Sequence, residues 1–212
     1  MRELSFVDRL IVNFDQGLRT VFGQPQITER SNPAETIPET DLSENEKQLA
    51  ARLMRINHTG EVCAQALYQG QALTAKTAAV HQSMQRAAQE ENDHLEWCET
   101  RLKEFNDHKS FLNPFWYVGS FAMGAMAGIA GDKWSLGFVA ETERQVVKHL
   151  DDHLKKLPIN DKKSRAILEQ MKLDEKHHAT EAIKAGGAPL PETVKFAMRQ
   201  TSKIMTSTVY WI

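Results

Sequence analysis

Apolar residues recur every three or four positions at the start of the chain. The apolar positions are Leu4, Val7, Ile11, Phe14, Leu18 and Val21. This period is that of an amphipathic α-helix with one apolar face. The pattern does not distinguish a helix packed on the rest of the protein from a helix lying on a membrane surface.

After residue 42, long stretches with helical periodicity alternate with short breaks. A capping box formed by Ser43 and Glu46 predicts the start of the first of these helices. Pro158 and the pair Gly186-Gly187 end two others. The predicted helices span 43–75, 78–106, 132–157, 160–185 and 191–208. No stretch shows the sustained period-two alternation of a β-strand, so we predict an all-α fold.

Length and composition indicate how the chain is divided. A chain of 212 residues with 41% hydrophobic content fits one folded domain. Residues 24–42 contain three prolines and many polar residues, which predicts a linker. We therefore divide the chain into an amphipathic N-terminal segment with its linker, 1–42, and a helical domain, 43–212.

Two function classes receive no support from the residues. The net charge is −2 with both signs interspersed, so no basic stripe indicates nucleic-acid binding. The two cysteines, Cys63 and Cys98, have neither a redox nor a zinc spacing. We predict that both are small buried residues rather than nucleophiles or disulfide partners.

One segment, 111–131, departs from the helical pattern because it carries no charge. It contains four glycines and a cluster of three aromatic residues near its start. Its length is that of a transmembrane candidate. Pro114 and the glycines nevertheless favour a bent segment over a straight helix.

Two Glu-x-x-His pairs suggest metal chemistry: Glu91 with His94, and Glu175 with His178. At a spacing of i, i+3, both side chains of a pair leave one face of a helix. Two such pairs, with one glutamate from each of two other helices, bind two iron or manganese ions inside a four-helix bundle. Carboxylates neutralise and bridge the cations, and each imidazole supplies a nitrogen ligand.

The spacing along the chain selects Glu61 and Glu143 as the two further glutamates. In an antiparallel hairpin, residues equidistant from the turn lie at the same height. The midpoint between Glu61 and Glu91 falls at a predicted break. The midpoint between Glu143 and Glu175 also falls at one. We therefore predict two copies of one helical hairpin, whose four glutamates and two histidines meet inside the bundle.

The assignment of several neighbouring residues stays open. Glu141 lies two residues before Glu143, on nearly the opposite helix face, and is a rival ligand. Glu90 and Asp174 each precede the glutamate of a pair, and either orient the histidine of the opposite pair or are solvated. His149 lies six residues after Glu143 and is placed near the site. Surface positions are expected for most of the other histidines, which are His58, His81, His108, His153 and His177.

A single complete membrane span at 111–131 conflicts with this site. Such a span would place the two hairpins on opposite sides of the bilayer, so their ligands could not meet. We therefore expect a crossover that connects the hairpins and either caps the bundle or dips into one membrane leaflet. An uncharged run of this length favours contact with one membrane leaflet.

Five stretches resemble the demethoxyubiquinone hydroxylase family, the ferritin-like di-iron monooxygenases of ubiquinone biosynthesis. They are INHTGEVCAQALYQGQA (56–72), EENDHLEWC (90–98), ETERQVVKHLDDHL (141–154), DEKHHATEA (174–182) and the terminal YWI (210–212). The resemblance covers residues 43–212, and the N-terminal 42 residues resemble the bacterial members more than the mitochondrial ones. It implies a ferritin-like four-helix bundle with additional N-terminal, crossover and C-terminal helices.

The resemblance also implies a ligand set, and it favours Glu143 over Glu141. The family's ligands fall on Glu61, Glu91, His94, Glu143, Glu175 and His178. Two of them, Glu91 and Glu175, would bridge the ions. Leu150 departs from the pattern, since eukaryotic relatives carry a tyrosine there. That departure concerns any electron-relay role of the ring and not metal binding.

The implied activity is hydroxylation of the ring of a polyprenylated demethoxy-ubiquinol, the penultimate step of ubiquinone biosynthesis. Two Fe²⁺ ions are the implied cofactor and O2 the co-substrate. The two electrons required come from a reductase, NADH or the quinol itself. The polyprenyl tail implies peripheral contact with the cytoplasmic face of the bacterial cell membrane. Accessory ubiquinone-biosynthesis proteins and a second copy of the chain are further candidate partners.

Other protein classes share a helical bundle of this kind. A rubrerythrin-like peroxidase would carry paired Cys-x-x-Cys motifs, which this sequence lacks. Ferritin-type iron storage gives no reason for a long uncharged crossover. A structural bundle without metal is the remaining alternative.

Overall fold

The computed structural model describes residues 6–24, 26–28 and 30–212, and the fold of these residues is all-α. Their seven helices are α1 (Phe6–Phe22), α2 (Glu44–Thr74), α3 (Ala78–Glu104), α4 (Asn113–Ile129), α5 (Asp132–Lys156), α6 (Lys162–Lys184) and α7 (Glu192–Val209). No strand occurs in these ranges. The five helices delimited from the sequence begin and end within two residues of the observed ones, so the all-α prediction is confirmed.

Side chains at the helix ends satisfy free backbone groups. The Ser43 hydroxyl accepts from the backbone of Glu46, and the Glu46 carboxylate accepts from Ser43 N at 2.9 Å, which is the predicted capping box. Thr77 caps α3, and Asp161 caps α6. The carboxylate of Asp132, at the start of α5, accepts from the backbone of the α2–α3 turn. These contacts fix where the two hairpins turn.

The hairpins α2–α3 and α5–α6 form the four-helix bundle, and two apolar clusters fill it. One cluster includes Leu53, Met54, Trp97, Leu102, Leu150, Leu154, Ile167, Leu168 and Met171. The other includes Tyr68, Val80, Met84, Leu136, Val139, Ala140 and Ala182. On each of the four helices, the predicted metal ligands lie between the two clusters. This is a ferritin-like bundle with additional N-terminal, crossover and C-terminal helices.

The uncharged segment forms the continuous helix α4, where the sequence had suggested a bent segment. Pro114 lies in the first turn of α4, where its missing N–H removes no helical hydrogen bond. Glycines bring α4 close to α2: an added Cβ would lie 2.2 Å from Leu67 O at Gly124 and 2.3 Å from Phe121 O at Gly70. In the described part of the chain, no helix is both long and apolar enough to cross a membrane.

α1 packs on α2 and α4 and leaves most of its apolar side chains outward. Gly17 lies against the ring of Tyr117 on α4, and Val21 is buried. The described apolar residues of α1 that remain exposed are Ile11, Val12, Phe14, Leu18 and Phe22. Leu4 and the side chain of Val7 lie outside the described residues. The structure thus places α1 on the bundle with an apolar face turned away from it.

The segment predicted to be a linker is attached to the bundle at several points. Glu39 pairs with Arg101 of α3 at 2.6 Å. Thr28 donates its backbone N–H and its hydroxyl to the two carboxylate oxygens of Asp93, each at 2.7 Å. We call residues 26–28 and 30–42 the strap, because contacts along its length hold it against the outside of the bundle.

Candidate metal centre

The six predicted ligands converge at the middle of the bundle, and each is at most 9% exposed. α2 contributes Glu61, α3 contributes Glu91 and His94, α5 contributes Glu143, and α6 contributes Glu175 and His178. Single donor atoms from four of them lie within 4.8 Å of one another: Glu61, Glu91, His94 and Glu175. The other two adjoin this group. Besides burial, the charges of Glu175 and Glu91 raise the pKa of Glu143, so these carboxylates lie close together. His178 Nδ1 lies 3.1 Å from Glu175 Oε2.

Glu91 and Glu175 lie between the two imidazole rings. His94 Nδ1 is 2.9 Å from Glu91 Oε2 and 3.2 Å from Glu175 Oε1. His178 Nδ1 is 3.3 Å from Glu91 Oε1 and 3.1 Å from Glu175 Oε2. Each carboxylate therefore presents one oxygen to one ring and its second oxygen to the other. A carboxylate placed in this way is suited to bridge two cations.

The far nitrogen of each ring is held by a carboxylate from the opposite pair. His94 Nε2 donates to Asp174 Oδ2 at 2.9 Å, and His178 Nε2 donates to Glu90 Oε2 at 2.7 Å. Because an ionised carboxylate only accepts, the Nε2 atoms carry the protons. In the neutral rings, both Nδ1 lone pairs then point at the glutamate cluster. The contacts confirm that Glu90 and Asp174 orient the histidines.

Burial and crowding raise the pKa of two of the clustered glutamates. Burial raises the pKa of Glu61 and of Glu143 well above the usual range, and neighbouring carboxylates add to the effect. Burial would also raise the pKa of Glu91, but the two adjacent histidines outweigh it and lower the value. Burial lowers the pKa of His94, and the carboxylates around it outweigh that effect and raise the value well above normal. Without a cation, the cluster is stabilised by bound protons.

The donor atoms fit a dinuclear metal site. Glu91 Oε1 is buried and accepts no hydrogen bond, and an unsatisfied buried group of this kind costs roughly 1–3 kcal/mol or more. Cations between the rings would satisfy this oxygen and the two Nδ1 lone pairs together. A set of four carboxylates and two imidazoles is the donor set of di-iron and di-manganese bundles. The ligand role of each of the six residues stays a prediction.

A cavity between α2, α4, α5 and α7 reaches the cluster. Its walls include three of the predicted ligands, Glu61, Glu143 and Glu175. His149 also lines it, so this histidine lies near the cluster. Much of the remaining wall is apolar and includes Ile56, Leu67, Met123, Phe138, Val146 and Met198. The cavity therefore gives an apolar molecule access to the carboxylates from the side of α4 and α7.

Residues 48–209, more than half of the chain, match the family model described as Ubiquinone biosynthesis protein COQ7. The chain belongs to this family. The resemblance seen in the sequence motifs is thereby confirmed.

Similar proteins named 3-demethoxyubiquinol 3-hydroxylase share more than half of their residues with this family member. The protein of Nitrosococcus oceani is 60% identical, over 100% of this chain and 99% of its own length. That of Nitrosomonas eutropha is 58% identical over 97% and 99% of the two chains. That of Acinetobacter baumannii is 58% identical over the full length of both.

The structure separates the two rival glutamates of α5. Glu143 lies in the cluster, where its Oε1 accepts from the hydroxyl of Tyr68 at 2.5 Å. The Glu141 carboxylate instead accepts from Gln145 Nε2 of its own helix at 2.8 Å. The two residues leave nearly opposite faces of the helix, as their spacing requires.

Two aromatic residues contact the cluster and were missed in the sequence. Tyr68 donates to Glu143, and the ring of Trp97 lies 5.3 Å from that of His94. Their spacing carried a signal, because Tyr68 follows Glu61 by seven residues and Trp97 follows His94 by three. Both intervals place side chains on one helix face.

Two histidines expected at the surface are buried, which corrects that expectation for His58 and His153. His153 Nδ1 lies 2.9 Å from Asn57 Oδ1, and its ring centroid lies 3.9 Å from that of His149. Burial lowers the pKa of His58 to about 3 and that of His149 to about 4. Both rings are therefore neutral at pH 7.

Proposed function

We propose that this chain is an O2-dependent hydroxylase of ubiquinone biosynthesis, which uses two iron ions to hydroxylate the ring of a polyprenylated 3-demethoxyubiquinol. The observation that carries the proposal is the apolar cavity that reaches the buried glutamate and histidine cluster. The names of relatives that match nearly the whole chain support the same activity.

The six residues divide into two equivalent half-sites. The residues that would hold one iron are Glu61 and His94, those for the other are Glu143 and His178, and those shared are Glu91 and Glu175. When bound, the two irons supply the redox chemistry that activates O2. One oxygen atom enters the ring and the other leaves as water, with two electrons taken from a reductant.

The protein's own side chains exclude water and hold the substrate ring. Apolar clusters lie on both sides of the carboxylates, so water has little access along the bundle axis. Tyr68 holds the carboxylate of Glu143 by its hydrogen bond. The cavity wall at Leu67, Met123 and Phe138 offers the quinol ring an apolar surface beside the carboxylates.

The polyprenyl tail requires contact with a membrane, and we place that contact at α1 and α4, the latter of which also forms part of the cavity wall. The exposed apolar residues of α4 are Phe115, Val118, Met126 and Ile129. α1 contacts α4 through Gly17 and Tyr117 and exposes its own apolar face beside it. Peripheral contact with the cytoplasmic face of the bacterial cell membrane would cover these side chains. A second copy or an accessory ubiquinone-biosynthesis protein would compete for the same surface.

Vesicle flotation tests the membrane contact. Phe115→Glu places a charge on the exposed face of α4, at a side chain that is 70% exposed. We expect this variant to bind phospholipid vesicles at least about tenfold more weakly than the wild type, since burying the charge is costly. Ile159→Glu is the control, because Ile159 is 78% exposed in the α5–α6 turn, outside α1 and α4. Equal losses in both variants would contradict this placement of the membrane surface.

Isotope labelling tests the activity itself. The protein is loaded with Fe²⁺ and supplied with a short-chain 3-demethoxyubiquinol, a chemical reductant and ¹⁸O2. We expect two irons per chain and one ¹⁸O atom in each hydroxylated product, measured by mass spectrometry. A protein that holds two irons and hydroxylates no quinol under any reductant would reject the proposed reaction.

The neighbouring glutamates of α5 provide a matched pair of variants. Glu143→Gln removes a predicted ligand, and we expect product formation to fall by at least about a hundredfold, as removal of a group acting on the transition state does. Glu141→Gln makes the same chemical change two residues away, and we expect activity near that of the wild type. Similar activity in the two variants would reject the site.

A further inference from the structure

The strap crosses the outside of the metal centre beside one of the two histidines. Arg30 Nη2 lies 2.5 Å from Asp174 Oδ2, and the same oxygen accepts from His94 Nε2 at 2.9 Å. The guanidinium of Arg30 lies 5.1 Å from the centre of the Trp97 ring, which in turn contacts His94. A chain of charged contacts thus runs from the strap to a predicted ligand.

Anchoring of the strap holds Arg30 in this place. Asp93, whose side chain is fully buried, accepts both the backbone N–H and the hydroxyl of Thr28 at 2.7 Å. The Thr28 hydroxyl also accepts from Arg30 N at 3.2 Å. The guanidinium is therefore positioned by the backbone beside it and by the Trp97 ring.

The carboxylate beside the second histidine interacts with Arg30 only at longer range, because the ion pair of Arg30 is with Asp174. His178 Nε2 donates to Glu90 Oε2 at 2.7 Å, and Glu90 forms no salt bridge with a lysine or arginine of the described ranges. The Glu90 side chain is 34% exposed, compared with 18% for Asp174. The two half-sites match in their predicted ligands. They differ because, among the described residues, an arginine pairs with the outer carboxylate of only one of them.

The outer carboxylate affects how strongly an imidazole donates to a metal. A hydrogen bond from Nε2–H to a carboxylate makes Nδ1 a more basic ligand. A guanidinium paired with that carboxylate draws part of the negative charge toward itself. His94, whose partner Asp174 is paired with Arg30, is therefore a weaker donor than His178. A weaker donor favours Fe²⁺ over Fe³⁺.

We propose that Arg30 is a positioning residue of the metal centre, which makes the iron beside His94 easier to reduce than the iron beside His178. The inference rests on the proposed di-iron function. Arg30 precedes residue 48, where the family match begins. The strap thus adds to the centre a charge from outside the bundle.

Four variants separate the charge of Arg30 from the attachment of the strap. Arg30→Gln removes the charge, and Arg30→Lys retains it. Thr28→Val loosens the strap at Asp93 and leaves the guanidinium in the chain. Arg19→Gln is the matched control, since Arg19 is an exposed arginine of α1 that pairs with Asp15.

Redox titration and Mössbauer spectroscopy of the iron-loaded proteins provide the readout. In Arg30→Gln, we expect the preference of one iron for Fe³⁺ over Fe²⁺ to rise about tenfold, which lowers its potential by about 59 mV for a one-electron couple. We also expect the spectra of the two irons to become more alike. Arg30→Lys and Arg19→Gln should keep the wild-type potentials and spectra.

The outcomes distinguish this inference from the proposed function. If the wild type holds two irons and Arg30→Gln has unchanged potentials and spectra, the inference is overturned and the function stands. Thr28→Val loosens the attachment that holds Arg30 and should shift the potential in the same direction as Arg30→Gln, by a smaller amount. Equal shifts in Arg30→Gln and Arg30→Lys also overturn the inference, because the shift would then not depend on the charge at this position. A wild-type protein that holds no iron overturns both.

Discussion

A single added methyl group at Gly124 tests how closely α4 lies against α2. A Cβ at this position would lie 2.2 Å from Leu67 O and 2.9 Å from Leu67 Cα. Both are backbone atoms of α2, so no change of rotamer can relieve the contact. Ordinary van der Waals contact begins at 3.4 Å, and the two helices must therefore move apart.

The expected magnitude follows from two opposing effects. Overpacking costs about 1–3 kcal/mol, and a clash with backbone atoms places Gly124→Ala at the upper end. Replacing a helical glycine by alanine recovers about 1 kcal/mol of helix propensity. We therefore expect a net destabilisation of about 2 kcal/mol, which lowers the Tm by about 4–8 °C in a chain of this size.

Gly119 on the same helix provides the matched control. No atom lies within 4 Å of an added Cβ at this position, so Gly119→Ala should increase the free energy of unfolding by up to about 1 kcal/mol. Urea unfolding followed by far-UV circular dichroism measures wild type and both variants. Stability changes of the same sign in the two variants would refute the close packing of α4 on α2.

Three further predictions concern stability and metal binding. Arg101→Met leaves Asp161, which is fully buried and lies 2.8 Å from the guanidinium, without a charged partner. Urea unfolding should show a loss of about 3–5 kcal/mol in the free energy of unfolding. Burial lowers the pKa of His58 to about 3. Below pH 6.5, the unfolded chain therefore binds a proton that the folded chain does not. The free energy of unfolding then falls by up to about 1.4 kcal/mol per pH unit. Iron-free His58→Asn should show a smaller slope between pH 6.5 and 4 than iron-free wild type, and equal slopes would contradict the buried neutral ring. Tyr68→Phe removes the hydrogen bond to Glu143 and should weaken iron retention against a chelator about tenfold, whereas unchanged retention would show that this hydrogen bond does not support the centre.

The sequence carried enough information to predict the helices and the candidate site. Helix ends were predictable because local signals mark them, such as the capping box at Ser43 and the break at Pro158. The convergence of Glu61 with Glu91, and of Glu143 with Glu175, followed from hairpin symmetry. Those predictions used only spacing along the chain, because spacing determines which residues share a helix face and which lie at the same height in a hairpin.

Features that depend on contacts distant in the sequence were not predictable. The strap was taken for a linker, because nothing in its composition reveals that Thr28 contacts Asp93 or that Arg30 contacts Asp174. The burial of His153 likewise depends on Asn57 of another helix. Helical periodicity shows which residues share a face, but not which residues of other elements their polar side chains will contact.

Anomalous diffraction at the iron edge, from crystals of the iron-loaded protein, shows directly whether these six side chains hold two irons. We expect two iron peaks between Glu91 and Glu175, one beside Glu61 and His94 and the other beside Glu143 and His178. A single peak, no peak, or iron bound away from these six side chains would contradict this expectation.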